Sequence, residues 1–314
     1  MRFDILAAAL AVAAILSGTA SAQTIFMDDF DDGLSALNWT VNDPGLSDIT
    51  ADFFYDYSAI GVPPAPNGTG TRGLKMTANN NDGIFSGFSV SPNGQSFSGN
   101  YRVVFDMWQN YVGPLGAGGS GTTQLSTFGI GTAGDVAFWP GAATKESVSF
   151  GATLDGGSAS DFRAYSSAAP TSYPSGDPVY FAASTNGSDA YYAGFGGESA
   201  PAAQVAAFSG QTGVTDAGET SFAWRRVVID VSGGFATWSV DGLPLARVDL
   251  STVTLGGGNI LFGHSDTNAT SSADPNDSLL NITLIDNVRV VPEPTALTLC
   301  LLGLVSCIAA RRRR

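Results

Sequence analysis

Few side chains in this sequence are of the types that enzymes use as nucleophiles, bases or metal ligands. His264 is the only histidine, and the two cysteines, Cys300 and Cys307, lie in an apolar run near the C-terminus. A single histidine excludes multi-histidine metal centres, and the rest of the chain cannot build a cysteine zinc site. A serine nucleophile would need His264 itself as its base. We expect His264 to make a turn or a polar contact and not to bind a metal.

Carboxyl groups are the remaining side chains that could take part in catalysis, and glycoside hydrolysis is the reaction that they would catalyse. It needs two carboxyls about 5–9 Å apart, one as acid and one as nucleophile or base. The glutamates Glu146, Glu198 and Glu219 are far apart in the sequence and lie in loop-like segments. The sequence therefore favours a non-catalytic protein, with a glycan-active enzyme as the alternative.

Exposed aromatic side chains beside polar groups would bind carbohydrate. Trp139 lies in the short segment A-F-W-P-G, and Tyr191 and Tyr192 lie in a glycine-rich stretch, so these three are the candidate glycan platform. Trp224 and Trp238 fall inside alternating strand patterns, where an aromatic ring is more often part of the core.

The charge balance limits the partners of the chain. It has 14 lysines and arginines against 28 aspartates and glutamates, a net charge of −14. Such a surface repels nucleic acid and anionic membranes and attracts cations. We therefore expect no nucleic-acid partner. Because the residues before Cys300 contain no cysteine, the stability of that part must come from its core and not from disulfides.

The N-terminus carries the three features of a secretory signal peptide. Arg2 supplies a positive charge, Ile5–Leu16 is an apolar run, and Ala20–Ala22 is a small-residue cleavage site. Residues 1–22 are predicted to be removed during export.

The C-terminal segment 291–314 has three parts in a fixed order. Pro292, Glu293 and Pro294 come first, and two prolines keep this stretch extended. An uncharged apolar run, Thr295–Ala310, follows; it can enter a bilayer but is shorter than the roughly 20 residues of a comfortable span. The segment ends in a stop-transfer block of four arginines, which stays on the cytoplasmic side: Arg311, Arg312, Arg313 and Arg314.

This tripartite tail resembles the PEP-CTERM sorting signal of Gram-negative bacteria. The resemblance implies recognition by a membrane protease of the exosortase type and cleavage near the Pro-Glu-Pro triplet. It also implies release or attachment at the cell surface, in proteins that tend to accompany exopolysaccharide or biofilm production. The alternative is a plain C-terminal membrane anchor.

Between the two ends, residues 23–290 show short alternating segments separated by Gly, Asn, Asp and Pro, which is the pattern of an all-β sandwich. The clearest strand is 101–108, and Asp241-Gly242 is a strong type I′ hairpin signal between two further strands. The last strand, 280–290, places its apolar residues and Asp286 on one face. No clean linker or repeat divides this region, so we expect one domain.

The order of these segments resembles the concanavalin-A-like jelly-roll superfamily, including laminin-G-like modules. The resemblance rests on four segments and on the acidic opening around Asp28–Gly33, and it specifies fold better than function. The four segments are Trp224–Val231, Thr237–Gly242, Gly257–Gly263 and Leu284–Val290. The Glu-x-Asp-x-x-Glu motif of the glucanases with this fold is absent.

Jelly-roll modules often hold calcium where the first and last strands meet, and calcium binds six to eight oxygens. The resemblance therefore implies a calcium site formed by Asp29, Asp31 and Asp286. Asp286 lies on an apolar face and needs a partner. The alternative partners are a backbone turn or an arginine, such as Arg289 or Arg102.

Taken together, the sequence predicts an exported, exosortase-processed protein of the cell surface or extracellular matrix. Its predicted role is non-catalytic contact with exopolysaccharide, with calcium as the only cofactor considered. A purely structural matrix protein without a specific ligand is the third possibility.

Overall fold

The computed structural model describes residues 24–46, 48–113, 123–140, 146–155, 157–267 and 274–293. Within these ranges the chain forms two antiparallel sheets, one of eight strands and one of six, with a few short helices. The all-β class predicted from the sequence is confirmed. The strands are β1 Phe26–Asp28, β2 Trp39–Asn42, β3 Ile49–Asp56, β4 Arg72–Ala78, β5 Ser86–Pro92, β6 Tyr101–Asn110, β7 Gln124–Thr132, β8 Val148–Thr153, β9 Phe162–Ser166, β10 Arg225–Ser232, β11 Phe235–Val240, β12 Leu243–Asp249, β13 Asn259–Asp266 and β14 Ile282–Pro292.

The larger sheet has the strand order β12-β11-β10-β6-β14-β4-β3, with β1 also paired to β14. The smaller sheet has the order β2-β5-β13-β7-β8-β9. Strands β4 to β7 alternate between the two sheets, so the chain crosses the sandwich repeatedly and ties the layers together. The helices are α1 Ser35–Asn38, α2 Ala202–Ala207 and α3 Asp277–Leu280, with 3-10 turns at Tyr57–Ile60, Ala190–Tyr192 and Leu250–Thr252.

Alternation along the strands builds the core between the sheets. In β6, Val103 and Phe105 point inward, and Phe105 packs edge-to-face on Phe128 of β7 and Phe262 of β13. Trp238 is completely buried against Phe150, so its predicted place in the core is confirmed. Aromatic pairs of this kind add about 0.5–1.5 kcal/mol each beyond the area they bury.

Two tight hairpins join β10, β11 and β12. Gly233 and Gly234 both have positive φ, as do Asp241 (φ 50°) and Gly242 (φ 84°), the combination that a type I′ turn requires. The Asp241 carboxylate accepts the backbone N–H of Arg226 at 2.7 Å, which holds the turn against β10.

A β-bulge in β14 changes the predicted faces of that strand. The register with β6 shifts between Asp286 and Arg289, and Asn287 takes a left-handed φ of 54°. Leu284 and Asp286 therefore lie on the outer face of the large sheet, whereas Val288 and Val290 point into the core. The prediction that all of these residues share one face was wrong, because the extra residue reverses the alternation.

The predicted signal peptide, residues 1–22, and most of the predicted C-terminal segment lie outside the described residues. Within the described part, no helix has the length and apolar character needed to cross a bilayer.

Candidate functional site

The outer face of the six-stranded sheet is made of unusually small side chains. The bulky members of its strands, such as Phe128 and Phe150, point into the core, so alternate residues point outward. One cross-strand row on that face runs from Tyr165 to Ser149 and Gly129. A second row contains Arg163, Gly151, Thr127, Gly263 and Ser89. Small residues leave this face shallow, so another chain segment or a ligand can lie close to the sheet.

Part of this face is covered by the segment that follows β7. The backbone N–H of Phe138 donates to Ser89 Oγ at 2.9 Å, and the Phe138 ring packs with Leu125, Tyr165 and Leu261. A side chain at Gly263 would meet Thr127 Oγ1 and the Phe88 carbonyl oxygen at less than 3 Å, so only glycine fits there.

An open cleft of about 450 Å³ lies beside this covered area, at the β9 edge of the sheet. Aromatic, proline, threonine and arginine side chains line it, and none of the described residues that line it is a carboxylate. The lining residues are Phe85, Pro140, Arg163, Tyr165, Pro170, Thr171 and Thr267. This mixture of flat apolar surface and a few polar groups is typical of small-ligand sites.

The Tyr165 hydroxyl is a buried polar group without a hydrogen-bond partner. Tyr165 is fully buried, and neither its hydroxyl nor Ser149 Oγ beside it on β8 makes a hydrogen bond. Burial raises the pKa of Tyr165, while the charge of the neighbouring Arg163 guanidinium and its closeness to the hydroxyl lower it. A buried donor without a well-formed hydrogen bond costs about 1–3 kcal/mol, so this hydroxyl would gain from a partner in the cleft that Tyr165 lines.

Phe85, which lines the cleft, forms an aromatic pair with Trp139. Their ring centroids are 5.3 Å apart in an edge-to-face arrangement, and Phe85 is 45% exposed. Trp139 is half-buried. The structure thus places the predicted platform residue Trp139 beside the cleft, together with Phe85, which the sequence analysis did not identify.

The other two predicted platform residues lie elsewhere. Tyr192 is completely buried, packs on Phe162 at 4.3 Å between centroids, and donates its hydroxyl to the Ser184 carbonyl. Tyr191 packs against the core and donates its hydroxyl to the Pro244 carbonyl at 2.6 Å. The prediction for Tyr192 was wrong because the 3-10 turn Ala190–Tyr192 turns its ring inward.

The outer face of the eight-stranded sheet carries a separate polar cluster around two neighbouring aspartates. Asp106 of β6 lies directly opposite Asp286 of β14, and both are buried. Asp106 accepts hydrogen bonds at 2.8–3.0 Å from Asn67, Arg226 and Asn287.

Asp286 is held by partners of its own. It accepts the Tyr57 hydroxyl at 3.0 Å and the backbone N–H of Asn287 at 2.6 Å. Burial, together with the charges of Asp31 and Asp106, raises the pKa of Asp286 to about 7. These contacts agree with the alternative prediction for Asp286, in which the carboxylate accepts hydrogen bonds from a backbone turn.

The predicted calcium ligands Asp29, Asp31 and Asp286 are not assembled into a metal site. Asp29 is exposed and its carboxylate accepts the backbone N–H of Asp31 at 3.3 Å, while both Asp286 oxygens are bonded as described. Asp31 is close enough to Asp286 to raise its pKa. Over the described ranges, no group of three or more His, Cys, Asp or Glu side chains is arranged to hold a metal ion.

A buried pair of carboxyl groups lies in the loops that precede β9 and β10. Asp161 and Glu219 are both buried and hydrogen-bonded to each other. Asp161 also accepts Thr153 Oγ1 at 3.0 Å and the backbone N–H of Gly187 at 2.8 Å. Burial and the Asp161 charge raise the pKa of Glu219 far above its ordinary value, so the pair shares a proton at neutral pH. Because both groups are enclosed by protein, they hold loops together and do not face a substrate groove.

His264 lies inside strand β13 and is fully buried between the sheets. Its Nδ1 hydrogen-bonds with Thr283 Oγ1 at 2.8 Å and its Nε2 with Gln124 Oε1 at 2.5 Å. Burial lowers the pKa of His264 to about 3, so the ring is neutral. The predicted polar contact is confirmed, although the residue is in a strand and not in a turn.

The beginning of the predicted sorting motif is part of the sandwich. Pro292 is the last residue of β14 and pairs with Tyr101, and the backbone N–H of Glu293 donates to the Asn100 carbonyl at 3.2 Å. The Glu293 carboxylate forms an ion pair with Arg102. Pro294 and the arginine block lie outside the described residues.

Comparison with known proteins adds little to this geometry. No protein-family model matches the chain, and no curated protein matches it. Several solved structures are similar in overall shape. A protein of unknown function with a galectin-like fold from Bacillus subtilis has a TM-score of 0.41 at 10% identity, covering 86% of this chain and 96% of its own.

Two further structures have carbohydrate-related descriptions. The Crh5 transglycosylase in complex with NAG has a TM-score of 0.42 at 11% identity, over 87% of this chain and 86% of its own. The exoplasmic/lumenal domain of VIP36 in its Ca²⁺-bound form has a TM-score of 0.40 at 9% identity, over 82% and 84%. Similarities this distant say nothing about what the present chain binds.

Proposed function

We propose that this chain is an exported, non-catalytic β-sandwich of the concanavalin-A-like type that binds polysaccharide in the cleft beside β9. The observation that carries the proposal is the cleft itself. It combines the Phe85–Trp139 aromatic pair with the buried, unpartnered hydroxyl of Tyr165. Sugar rings present flat C–H faces to aromatic rings and hydroxyl groups to polar side chains, so both features have a use in one ligand.

The carboxyl groups support binding over hydrolysis. Hydrolysis of a glycosidic bond needs two carboxyls that face the substrate. The described lining of the cleft contains none, and the close pair Asp161–Glu219 is enclosed in protein. A glycan-active enzyme remains the alternative that the experiment below distinguishes.

The experiment is affinity electrophoresis of the exported protein through gels that contain soluble polysaccharides. We expect retardation by at least one polymer. The variant Phe85→Ala should weaken binding by about tenfold, because it removes one exposed stacking surface worth roughly 1.5 kcal/mol. The matched control is Phe54→Ala, a similarly exposed aromatic (41%) on β3 of the other sheet, which should bind like the wild type.

Three other results would contradict the proposal. Release of reducing sugar from any retained polymer would establish the enzyme alternative. No retardation by any polymer would favour a purely structural matrix protein. Equal losses in Phe85→Ala and Phe54→Ala would place the binding surface outside the cleft.

We further propose that the C-terminal segment is a sorting signal read by an exosortase-type protease at the membrane of a Gram-negative bacterium. The support is the order of its three parts: Pro292–Pro294, the apolar run Thr295–Ala310 and the arginines 311–314. Intact-mass measurement of the protein from its native host should give a product without residues 1–22 and without the arginine block. Recovery of the arginine block on the mature protein would overturn the sorting proposal.

A further inference from the structure

The cleft presents hydrogen-bond donors and a positive charge in a protein that is otherwise strongly acidic. The chain has a net charge of −14, yet the one charged residue among the described lining of the cleft is Arg163. Electrostatic complementarity at a binding site indicates the charge of the ligand. The positive charge of Arg163 distinguishes the described lining of the cleft from a chain whose net charge is negative.

Arg163 is fixed in position with donors to spare. Its Nε donates to the Ser160 carbonyl at 2.8 Å and its Nη2 to Ser158 Oγ at 3.0 Å. A guanidinium has five N–H donors, so three remain. The side chain is half-buried, and therefore its position is set before a ligand arrives.

Two buried hydroxyl groups lie on the same face of the sheet as this guanidinium. Tyr165 is two residues further along β9, on the same face of the sheet, and Ser149 is its cross-strand neighbour on β8. Both side chains are fully buried and neither hydroxyl has a partner. A carboxylate accepts at both oxygens and would satisfy a guanidinium and a hydroxyl together, whereas a sugar hydroxyl forms a weaker bond with each.

We propose that the cleft selects sugars that carry a carboxylate, with Arg163 and the Tyr165 hydroxyl as the carboxylate-binding pair. The ligand class is therefore an acidic polysaccharide built from uronic acids. This inference rests on the proposed function of the cleft, and adds the charge of its ligand. Because the remainder of the surface is acidic, the preference must come from the cleft and not from general attraction to polyanions.

The test compares polygalacturonate with the same polymer after its carboxylates have been reduced to alcohols. For the wild type we expect about tenfold or more tighter binding to the acidic polymer, the usual worth of one charge-assisted pair. Arg163→Ala should lose this preference and bind the acidic and the reduced polymer with similar affinity. Arg163→Lys, which keeps the charge but not the planar fork, should retain part of it.

Three controls keep the result interpretable. Arg247→Ala removes an exposed arginine that lies over Phe235 in the other sheet, and it should leave the preference intact. Because Arg163 also donates hydrogen bonds to Ser158 and Ser160, the melting temperature of each variant is measured. If Arg163→Ala does not fold, the binding preference of Arg163→Lys tests the proposal instead. Dextran sulfate serves as a polyanion without carboxylates.

Three outcomes would contradict the proposal, and they differ in what they leave in place. Equal binding of the acidic and reduced polymers by the wild type would overturn the carboxylate preference and leave glycan binding in place. Equal preference for dextran sulfate would show general anion binding and overturn it as well. Binding of neither polymer, with retention on another neutral polysaccharide, would reject uronates and keep the proposed function.

Discussion

The outer faces of the two sheets handle buried polar groups in opposite ways. On the eight-stranded sheet, the carboxyl groups of Asp106 and Asp286 lie beneath the 57–71 segment. Each of their oxygens accepts a hydrogen bond from a donor of this chain. On the six-stranded sheet, Thr127, Ser149 and Tyr165 are neutral hydroxyls, equally buried, whose side chains make no hydrogen bond.

This difference separates a structural cluster from a binding surface. A buried polar group that is fully bonded stabilises one arrangement of the chain, and its removal leaves its partners unsatisfied. A buried hydroxyl without a partner lowers the stability of the fold, and this cost is removed only when a water or a ligand forms a hydrogen bond with it. Whether a buried polar group has an internal hydrogen-bond partner therefore predicts whether its removal lowers the stability of the fold or weakens ligand binding.

The largest expected effect is the loss of stability in Asp106→Ala. This change leaves the Arg226 guanidinium and the amides of Asn67 and Asn287 without their acceptor, which costs about 3–5 kcal/mol for a buried ionic group. Glycan affinity of the folded fraction should be unchanged. Denaturant unfolding measures the first quantity and affinity electrophoresis the second.

A matched control for this variant is Asp230→Ala. Asp230 also pairs with an arginine, Arg102 at 2.9 Å, but near the surface, where ion pairs are worth about 0–1 kcal/mol. A destabilisation of Asp106→Ala no larger than that of Asp230→Ala would contradict the structural assignment of the cluster.

A second effect on stability, which depends on pH, is expected at the enclosed pair Asp161–Glu219. The pKa of Glu219 is raised from about 4.5 to about 9, so the folded protein keeps a proton that the unfolded chain releases. Stability therefore falls as pH rises through that window, by at most about 1.4 kcal/mol per pH unit. Glu219→Gln keeps a donor toward Asp161 without an ionisable group and should flatten the decline.

The measurement is the melting temperature from pH 5 to pH 9 for both proteins. Glu146→Gln, a change at an exposed glutamate, is the control and should follow the wild-type curve. Parallel curves for the wild type and Glu219→Gln would show that the pair does not hold a shared proton.

Strands with clear alternation were predictable from the sequence, and strands buried on both faces were not. In β10, Val227, Ile229 and Val231 alternate with half-buried residues, and the hairpin at Asp241-Gly242 fixes the next strand. In β7, every residue from Gln124 to Thr132 is buried, because small outward side chains are covered by other parts of the chain. The Ser, Thr and Gly residues of β7 do not form the alternation of apolar and polar residues that marks a strand.

The candidate site was predictable only in part, for a related reason. Trp139 was identified because it lies in the short segment Ala137–Gly141 and not inside an alternating strand pattern. Phe85, Arg163 and Thr267 come together only through the pairing of distant strands. The bulge at Asn287, where the residue has a left-handed φ and its side chain donates to Asp106, was not predicted from the sequence.

The smallest expected loss of stability, and the most direct test of the comparison, belongs to Tyr165→Phe. Because the Tyr165 hydroxyl is buried without a hydrogen-bond partner, its removal should not lower the free energy of unfolding and should raise it by up to about 1–3 kcal/mol. Binding of polygalacturonate should nevertheless weaken, because the carboxylate loses one donor. A substitution that leaves the fold unchanged and weakens binding is expected of a ligand-facing group.

The matched substitution is Tyr192→Phe, which removes a hydroxyl that donates to the Ser184 carbonyl at 3.0 Å. It should lower stability by about 1 kcal/mol, the usual worth of one internal hydrogen bond, and leave glycan affinity unchanged. The two variants delete the same atom from equally buried rings, so the comparison isolates the presence of an internal partner. If Tyr165→Phe destabilised the protein as much as Tyr192→Phe and bound polygalacturonate normally, the unpartnered hydroxyls would be structural and the cleft would lose its main support.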